Sequence, residues 1–528
     1  MQRARMISGL TKNRNSGGGD KKQGLPATVG VNHFALNLIK RQTGYCKCQP
    51  TPPLPSYVYS FVQPDNIVQN QAFNQDDSVF VTLSPNPNEY VLLIQYTQEG
   101  RANWSAGMVG NGQVVNIGDV TTDAYNVYVS VISESGNLTI FNKNGSLFRT
   151  VTTSGPTEFV VWYDHAGNAE GVIYMKTFTS AFSKLYMKVD ADRNLYIAGS
   201  IEANGSFYNQ DGTLFKTIVG SARTVFLMKY RLGVGVWETH VTNNPSTLTT
   251  KLVIDPATQS ICWCGAYFGS TVDFNNASGT FFNKLTCDGS TSNGFLAKYK
   301  ADGTGSWVVN VGGDVTRAVG CTVSPDSSIY LAATARTSAN LYEWNVGLPT
   351  VLSGFSQAVV LAKYSAGGAL QWYTTLITQN PDLCIGKGVV SDSKNSVYVY
   401  GDFSNQLVVN NRNATVFATL TKTGVGDGFM TKFDADGTAK WSVLGGIYSY
   451  NQANAAATDA GDNVYFQSMY SATTTVRNED GTPFRTLVLM GSTDTSLVKY
   501  NSDGKVVWAS RTAGGTGFDY ELELATLR

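Results

Sequence analysis

Charge is scarce in this chain. Asp, Glu, Lys and Arg make up 15% of its 528 residues, against about 25% in ordinary globular domains. Histidine is scarcer still, with His33, His165 and His240 only. So few imidazoles leave little material for His-based acid–base chemistry or His-rich metal centres. No Ser–His–Asp set and no G-x-S-x-G elbow is visible, so nucleophilic catalysis has no support. No run of about 18 apolar residues exists, which excludes a transmembrane helix. The seven cysteines are odd in number and scattered (Cys46, Cys48, Cys262, Cys264, Cys287, Cys321, Cys384), unlike the disulfide framework of a small secreted domain. The first residues, M-Q-R-A-R-M-I-S-G-L-T-K-N-R-N, contain no apolar core, so no standard signal peptide is expected.

What the chain has is glycine, 53 residues of it, and a hydrophobic content of 42%. Together with abundant Ser, Thr and Asn, this describes many short strands joined by turns. The formal net charge is zero but unevenly placed. Residues 1–50 hold nine cations (Arg3, Arg5, Lys12, Arg14, Lys21, Lys22, Lys40, Arg41, Lys47) and one acid, Asp20, for +8; the remaining 30 basic and 38 acidic groups leave −8 beyond them. Residues 1–56 therefore read as an extended basic arm, with a flexible Gly17-Gly18-Gly19 run and a stiffer Pro-rich end at Pro50, Pro52, Pro53 and Pro55. Such asymmetry is a partner signal. The nine cations suit the acidic surface of a protein assembly; phosphates of nucleic acid or the anions of a membrane are the other candidates, and a merely solvated tail is the reading without a partner. Little aromatic interleaving is present for base stacking.

Beyond residue 57 a repeat takes over. Its clearest copy is F-L-A-K-Y-K-A-D-G-T-G-S-W, Phe295–Trp307. The hairpin aromatic falls at Tyr96, Tyr163, Tyr230, Tyr299, Tyr364, Phe433 and Tyr500, at gaps of 67, 67, 69, 65, 69 and 67 residues. A Trp follows at Trp104, Trp237, Trp307, Trp372, Trp441 and Trp508, and Gly171 stands in its place in the second copy. Lys precedes the aromatic in five copies, at Lys229, Lys298, Lys363, Lys432 and Lys499. The alternation F-L-A-K-Y predicts a half-buried strand, and Asp302-Gly303, Gly367-Gly368, Asp436-Gly437 and Asp503-Gly504 predict hairpin turns. The aromatic and the Trp are expected to be core packing between neighbouring sheets.

A second hairpin recurs with its central aromatic at Phe80, Tyr128, Tyr196, Tyr330, Tyr398 and Tyr465, and with Cys262 as a departure. A third, variable segment follows it in six copies, such as Asn142–Phe148 and Asn478–Phe484, and is expected to add a hairpin to the edge of each sheet. Seven copies of at least four short strands, at a period near 67, predict an all-β, seven-bladed β-propeller over residues 57–528. The unfinished last copy predicts that residues 519–527 pair with the sheet containing 77–83 and close the ring.

The pattern F-V-x-K-Y-x-x-x-G-x-x-x-W followed by V-x-x-D-x-x-x-N-V-Y-V-x-G resembles the SBBP family of β-propeller repeats, over about residues 66–528. That resemblance implies the fold and leaves function open. A basic arm ahead of a β-rich body is also similar to capsid-associated proteins of large DNA viruses. This second resemblance implies a place in or on a virion, with an extracellular surface as the other location.

Few constellations carry chemistry. Glu238 and His240 share one strand face and form the only pair suited to acid–base work. Cys262 and Cys264 share a face and are expected to be small buried residues, since C-x-C is not zinc spacing. Asp190-Ala191-Asp192 and Asp434-Ala435-Asp436-Gly437 resemble the start of a calcium loop but lack the later ligands, and they suit hairpin turns. The six sequons (Asn103, Asn137, Asn144, Asn204, Asn276, Asn413) are unsurprising in so Asn-, Ser- and Thr-rich a chain. No catalytic residue, metal ligand or cofactor is assigned. The favoured expectation is a non-enzymatic structural or interaction protein anchored by its arm. A glycan-binding lectin or adhesin, and a lyase or glycan-active enzyme with its site at the central mouth, are the alternatives.

Overall fold

The computed structural model describes residues 67–73, 79–86, 90–96, 523–525 and, with short breaks, 102–513. They belong to one compact unit, Gln49–Arg528. Every regular element among the described residues is a β-strand. The chain is an all-β repeat protein of propeller type. Its antiparallel four-stranded units, with strands a to d in chain order, are as follows. Sheet 1 is Ile67–Phe73, Val79–Asn86, Tyr90–Tyr96 and Ala102–Val109; sheet 2 is Val115–Thr122, Asn126–Ser133, Thr157–Asp164 and Ala169–Thr177. Sheet 3 is Phe182–Val189, Asn194–Ile201, Thr224–Arg231 and Val234–His240; sheet 4 is Ser246–Ile254, Ile261–Phe268, Ser292–Tyr299 and Gly305–Gly313. Sheet 5 is Arg317–Val323, Ile329–Ala335, Gln357–Tyr364 and Leu370–Thr378; sheet 6 is Cys384–Ser391, Val397–Phe403, Gly426–Phe433 and Ala439–Tyr448. Sheet 7 is Ala453–Thr458, Val464–Tyr470, Asp494–Tyr500 and Val506–Ala513.

Consecutive sheets stack face to face, and their a strands touch one another in order. The core is accordingly divided into slabs, each shared by two sheets. One slab joins Val91, Leu93 and Trp104 of sheet 1 to Val127, Val129 and Tyr163 of sheet 2. Another joins Tyr398, Met430 and Trp441 of sheet 6 to Val464, Phe466 and Tyr500 of sheet 7.

This stacking corrects the expectation of a half-buried F-L-A-K-Y strand. Every residue of Ser292–Tyr299 is buried, including Lys298 at 4% exposure. The strand lies third of four and has a sheet packed on each face, so its apolar–polar alternation does not mark a solvent side.

The variable segments do form hairpins, but not on the sheets they interrupt. Asn137–Phe141 and Leu147–Thr152 leave sheet 2 between strands b and c and pair with strand d of sheet 1. Asn204–Tyr208 and Leu214–Val219 leave sheet 3 and pair with strand d of sheet 2 over Tyr174–Thr177. The hairpins of sheets 5 and 6 extend sheets 4 and 5 in the same way. Those of sheets 4 and 7 form small two-stranded sheets beside strand d of sheets 3 and 6. The outer edges of sheets 1–6 thus receive the next sheet's hairpin, because the b–c connections of sheets 2–7 are long enough to cross.

The short strand Glu523–Ala525 runs parallel to Asn70–Ala72 and enters sheet 1 at its strand a edge. Strand b of that sheet already has partners on both sides. The same short strand also touches Ala453–Thr458 of sheet 7.

Candidate interaction surfaces

Three kinds of tie decide which side chains are spent on the fold and which remain for partners. The first is at the c–d turns. The indole N–H of Trp237, Trp307, Trp372 and Trp441 donates to the carbonyl of Ala301, Ala366, Ala435 and Ser502, always in the turn of the next sheet, at 2.9–3.1 Å. The Lys of the same sheet reaches the same carbonyl: Lys229 Nζ to Ala301, Lys298 to Ala366, Lys363 to Ala435 and Lys432 to Ser502, at 2.9–3.5 Å. The turn glycine beneath each Trp has positive φ, +82° to +85° at Gly303, Gly368, Gly437 and Gly504. A Cβ there would also meet the indole. Only glycine satisfies both the backbone and the ring.

The Lys head also meets the a–b turn. Lys229, Lys363, Lys432 and Lys499 lie over the rings of Tyr196, Tyr330, Tyr398 and Tyr465 at 4.9–5.2 Å, a cation–π geometry. Lys298, Lys432 and Lys499 pair with Asp255, Asp392 and Asp459 at 3.3, 3.5 and 2.9 Å. Burial alone would raise the Asp255 carboxyl. Hydrogen bonds from Thr258, the Ala257 N–H and Ser327, with the Lys298 charge, outweigh it and hold Asp255 below the ordinary carboxylate range. The repeated Lys-Tyr…Trp is thus a buried polar clamp between sheets. Sequence reasoning placed the Tyr and Trp in the core but gave the Lys no role. One signal was present: in the second copy, where Trp is lost to Gly171, the Lys is lost to Trp162 as well.

The second tie links adjacent a–b turns through residues held at positive φ. Arg193 (φ 63°), Ser327 (60°), Asn395 (64°) and Asp462 (61°) occupy one turn position. Each bonds to the turn of the preceding sheet: Arg193 to Asn126, Ser327 to Asp255, Asn395 to the N–H of Asp326, and Asp462 to the N–H of Ser393. The acidic turns are occupied in this way too. Asp190 accepts from the N–H groups of Asp192 and Asn194, the Asn194 amide and the Tyr196 hydroxyl at 2.7–3.2 Å.

The third tie is the hairpin strap. Its tip stays on its own sheet, where the first turn Asn accepts a backbone N–H: Asn142 from Ala169, Asn209 from Gly235, Asn276 from Gly305, Asn411 from Ala439 and Asn478 from Val506, at 2.8–2.9 Å. Its body lies on the sheet before. The sequons at Asn144 and Asn413 fall at the third turn position, and Asp211 and Asp480 stand there in other copies. Each accepts from the hydroxyl two residues on, at 2.5–2.7 Å. Turn chemistry explains the Asn-x-Ser/Thr pattern there.

Glu238 and His240 are brought together, with Oε1 and Nδ1 2.6 Å apart. Lys216 from the hairpin of the same sheet takes the other Glu238 oxygen at 3.3 Å. The pair therefore bonds a strap to strand d. Cys262 and Cys264 are fully buried, and burial pushes the Cys262 thiol up to about 12. Among the described residues no three His, Cys, Asp or Glu side chains group as metal ligands. No helix among them is long and apolar enough to cross a membrane. The arm cations Arg3, Arg5, Lys12, Arg14, Lys21, Lys22, Lys40, Arg41 and Lys47, with Cys46 and Cys48, lie outside the described residues.

What remains exposed is the rim. The outermost strand of each hairpin has no further β-partner among the described residues. Each also shows a large apolar side chain to solvent: Leu147, Leu214, Phe281, Val351, Val416 and Phe484, between 44% and 64% exposed. Open sheet edges carrying apolar side chains are templates for association.

No family model matches the chain. It is 24% identical over 476 residues to an uncharacterized WD repeat-containing protein, L264, of Acanthamoeba polyphaga mimivirus; the match covers 77% of this chain and 34% of that protein, so the chain spans about a third of that relative's length. Among solved structures, the Dos1 propeller aligns with 89% of this chain and 97% of its own at a TM-score of 0.42 and 10% identity. Virginiamycin B lyase from Staphylococcus aureus aligns with 73% of this chain and 97% of its own at a TM-score of 0.32 and 8% identity.

Proposed function

We propose that the chain is a non-enzymatic interaction scaffold. Its seven sheets are the blades of a closed ring, and its basic arm anchors that ring to a larger assembly, with a virion as the favoured case. The observation that carries this reading is the set of open, apolar rim edges at one repeat position in six sheets. The recurrent polar residues, by contrast, are used in joining sheets. Closure draws support from Glu523–Ala525, which touches both sheet 7 and sheet 1. It draws more from Trp508, whose indole N–H is buried without an acceptor among the described residues. The residue at the acceptor's repeat position in sheet 1 is Gln98, which lies outside the described residues. The +8 arm suits an acidic protein surface, and the giant-virus relative makes a viral assembly the first partner to test.

The test is co-purification from the native source. Removal of residues 1–56 leaves a folded body that no longer travels with its assembly. A double change at the rim, Phe281→Lys with Phe484→Lys, leaves thermal stability within about 0.5 kcal/mol, as surface changes do, and weakens the contacts made by the body. Association unchanged by both would overturn the reading.

A further inference from the structure

One rim position differs from the rest. The b–c connections of sheets 2–7 run to 21–23 residues and carry the strap hairpins, whereas in sheet 1 three residues, Pro87-Asn88-Glu89, join strands b and c. Strand d of sheet 7, Val506–Ala513, is thus the one strand d that no neighbour supplies with a hairpin. It ends its sheet: among the described residues no strand pairs with its outer edge, and the hairpin of its own sheet reaches it through Arg485, which donates to the Ala509 carbonyl at 2.9 Å.

Where straps continue a sheet, they pair with strand d four and five residues past the Trp slot: at Met108 and Val109 after Trp104, and at Leu376 and Ile377 after Trp372. The same offset from Trp508 falls on Thr512 and Ala513. A strap tip would also need a backbone N–H in the next c–d hairpin; the position that Val506 and Ala439 hold in other sheets is Ala102 in sheet 1.

We propose that this edge is a docking site for a β-hairpin donated by a partner polypeptide. The incoming strand adds antiparallel at Thr512–Ala513, a β-augmentation, and an Asn at its turn accepts the N–H of Ala102. Five of the six straps open their turn with Asn, and three complete it as Asn-x-Asp/Asn-Gly-Ser/Thr (Asn142–Ser146, Asn209–Thr213 and Asn478–Thr482); these define the occupant's chemistry, a hairpin with that turn and β-branched or aromatic strands. This deepens the scaffold reading and rests on sheet 7 lying beside sheet 1.

Hydrogen exchange on the full chain tests it. The probe is a synthetic peptide of residues 203–220, the strap of sheet 3. In the free chain the outward amide of the Thr512–Ala513 pair exchanges as an open edge. Saturating peptide slows it about tenfold or more, while amides of strand d in sheet 2 do not change. A second protein, with residues 202–223 grafted in place of Pro87–Glu89, fills the edge in cis and abolishes the peptide effect. Protection already present in the free chain would show that the chain covers its own edge, and would overturn the proposal. So would an edge that stays open at saturating peptide. Neither result bears on arm-dependent association, so the scaffold reading stands or falls separately.

Discussion

The ring of Trp162 occupies the space that a Cβ on Gly171 would fill. Trp162 stands where other copies carry Lys, and Gly171 where they carry Trp. The indole comes from strand c instead of strand d, yet it still packs at 6.1 Å on Tyr128 and against the next turn glycine, Gly233. The second copy has moved its aromatic to the neighbouring strand and given up the cation.

This exchange predicts strong coupling. Gly171→Trp alone overfills the slab and costs about 1–3 kcal/mol. Combined with Trp162→Lys it restores the clamp of the other sheets and recovers most of that loss. Thermal melts of the two singles and the double form the cycle; additive effects would refute the packing account.

The buried pair Lys298–Asp255 predicts an asymmetric response. Lys298→Met leaves a buried carboxylate without its cation and costs about 3–5 kcal/mol. Asp255 is held below its ordinary pKa in the fold. Its contribution is therefore present above the ordinary carboxyl range and is lost as pH falls through the lowered folded value. Melts between pH 7 and low pH should show a smaller acid loss in a Lys298→Met, Asp255→Leu double variant.

Asp402 predicts the opposite pH dependence. It is buried at the junction of sheets 6 and 7, accepts the Ala453 N–H, and has Lys387 at 3.8 Å. Burial nonetheless raises its carboxyl to about 6. The folded state then binds the proton more tightly than the unfolded chain, so this residue's contribution improves as pH falls from about 6 toward the ordinary value near 3.8. The span of roughly two units corresponds to about 3 kcal/mol. Asp402→Asn should remove that slope and raise stability at pH 7. An unchanged slope in denaturant melts would count against it.

The turn glycines predict a graded series. Gly437 and Gly481 have φ of +83° and +81°, but a Cβ on Gly437 meets Arg412 and Trp372 while one on Gly481 meets nothing. Gly481→Ala should cost about 1–2 kcal/mol for the left-handed backbone alone. Gly437→Ala should cost visibly more, because Trp372 must also shift. Equal losses in parallel melts would place the whole penalty in the backbone.

The sequence by itself determined the repeat. The Tyr and Trp positions, the glycine turns and the six variable segments are local features at a period near 67, and strand pairing within each unit follows from them. It also marked the arm as the seat of positive charge. Tertiary structure decided where each unit's neighbours lie. A strand with both faces covered can bury Lys298, because the next sheet offers it a carbonyl and its own a–b turn a carboxylate, which no alternation pattern encodes. The destination of the straps was hidden for the same reason. Their sequence dictates a hairpin, but pairing with the preceding sheet depends on which edge the stacked sheets bring within hydrogen-bonding distance.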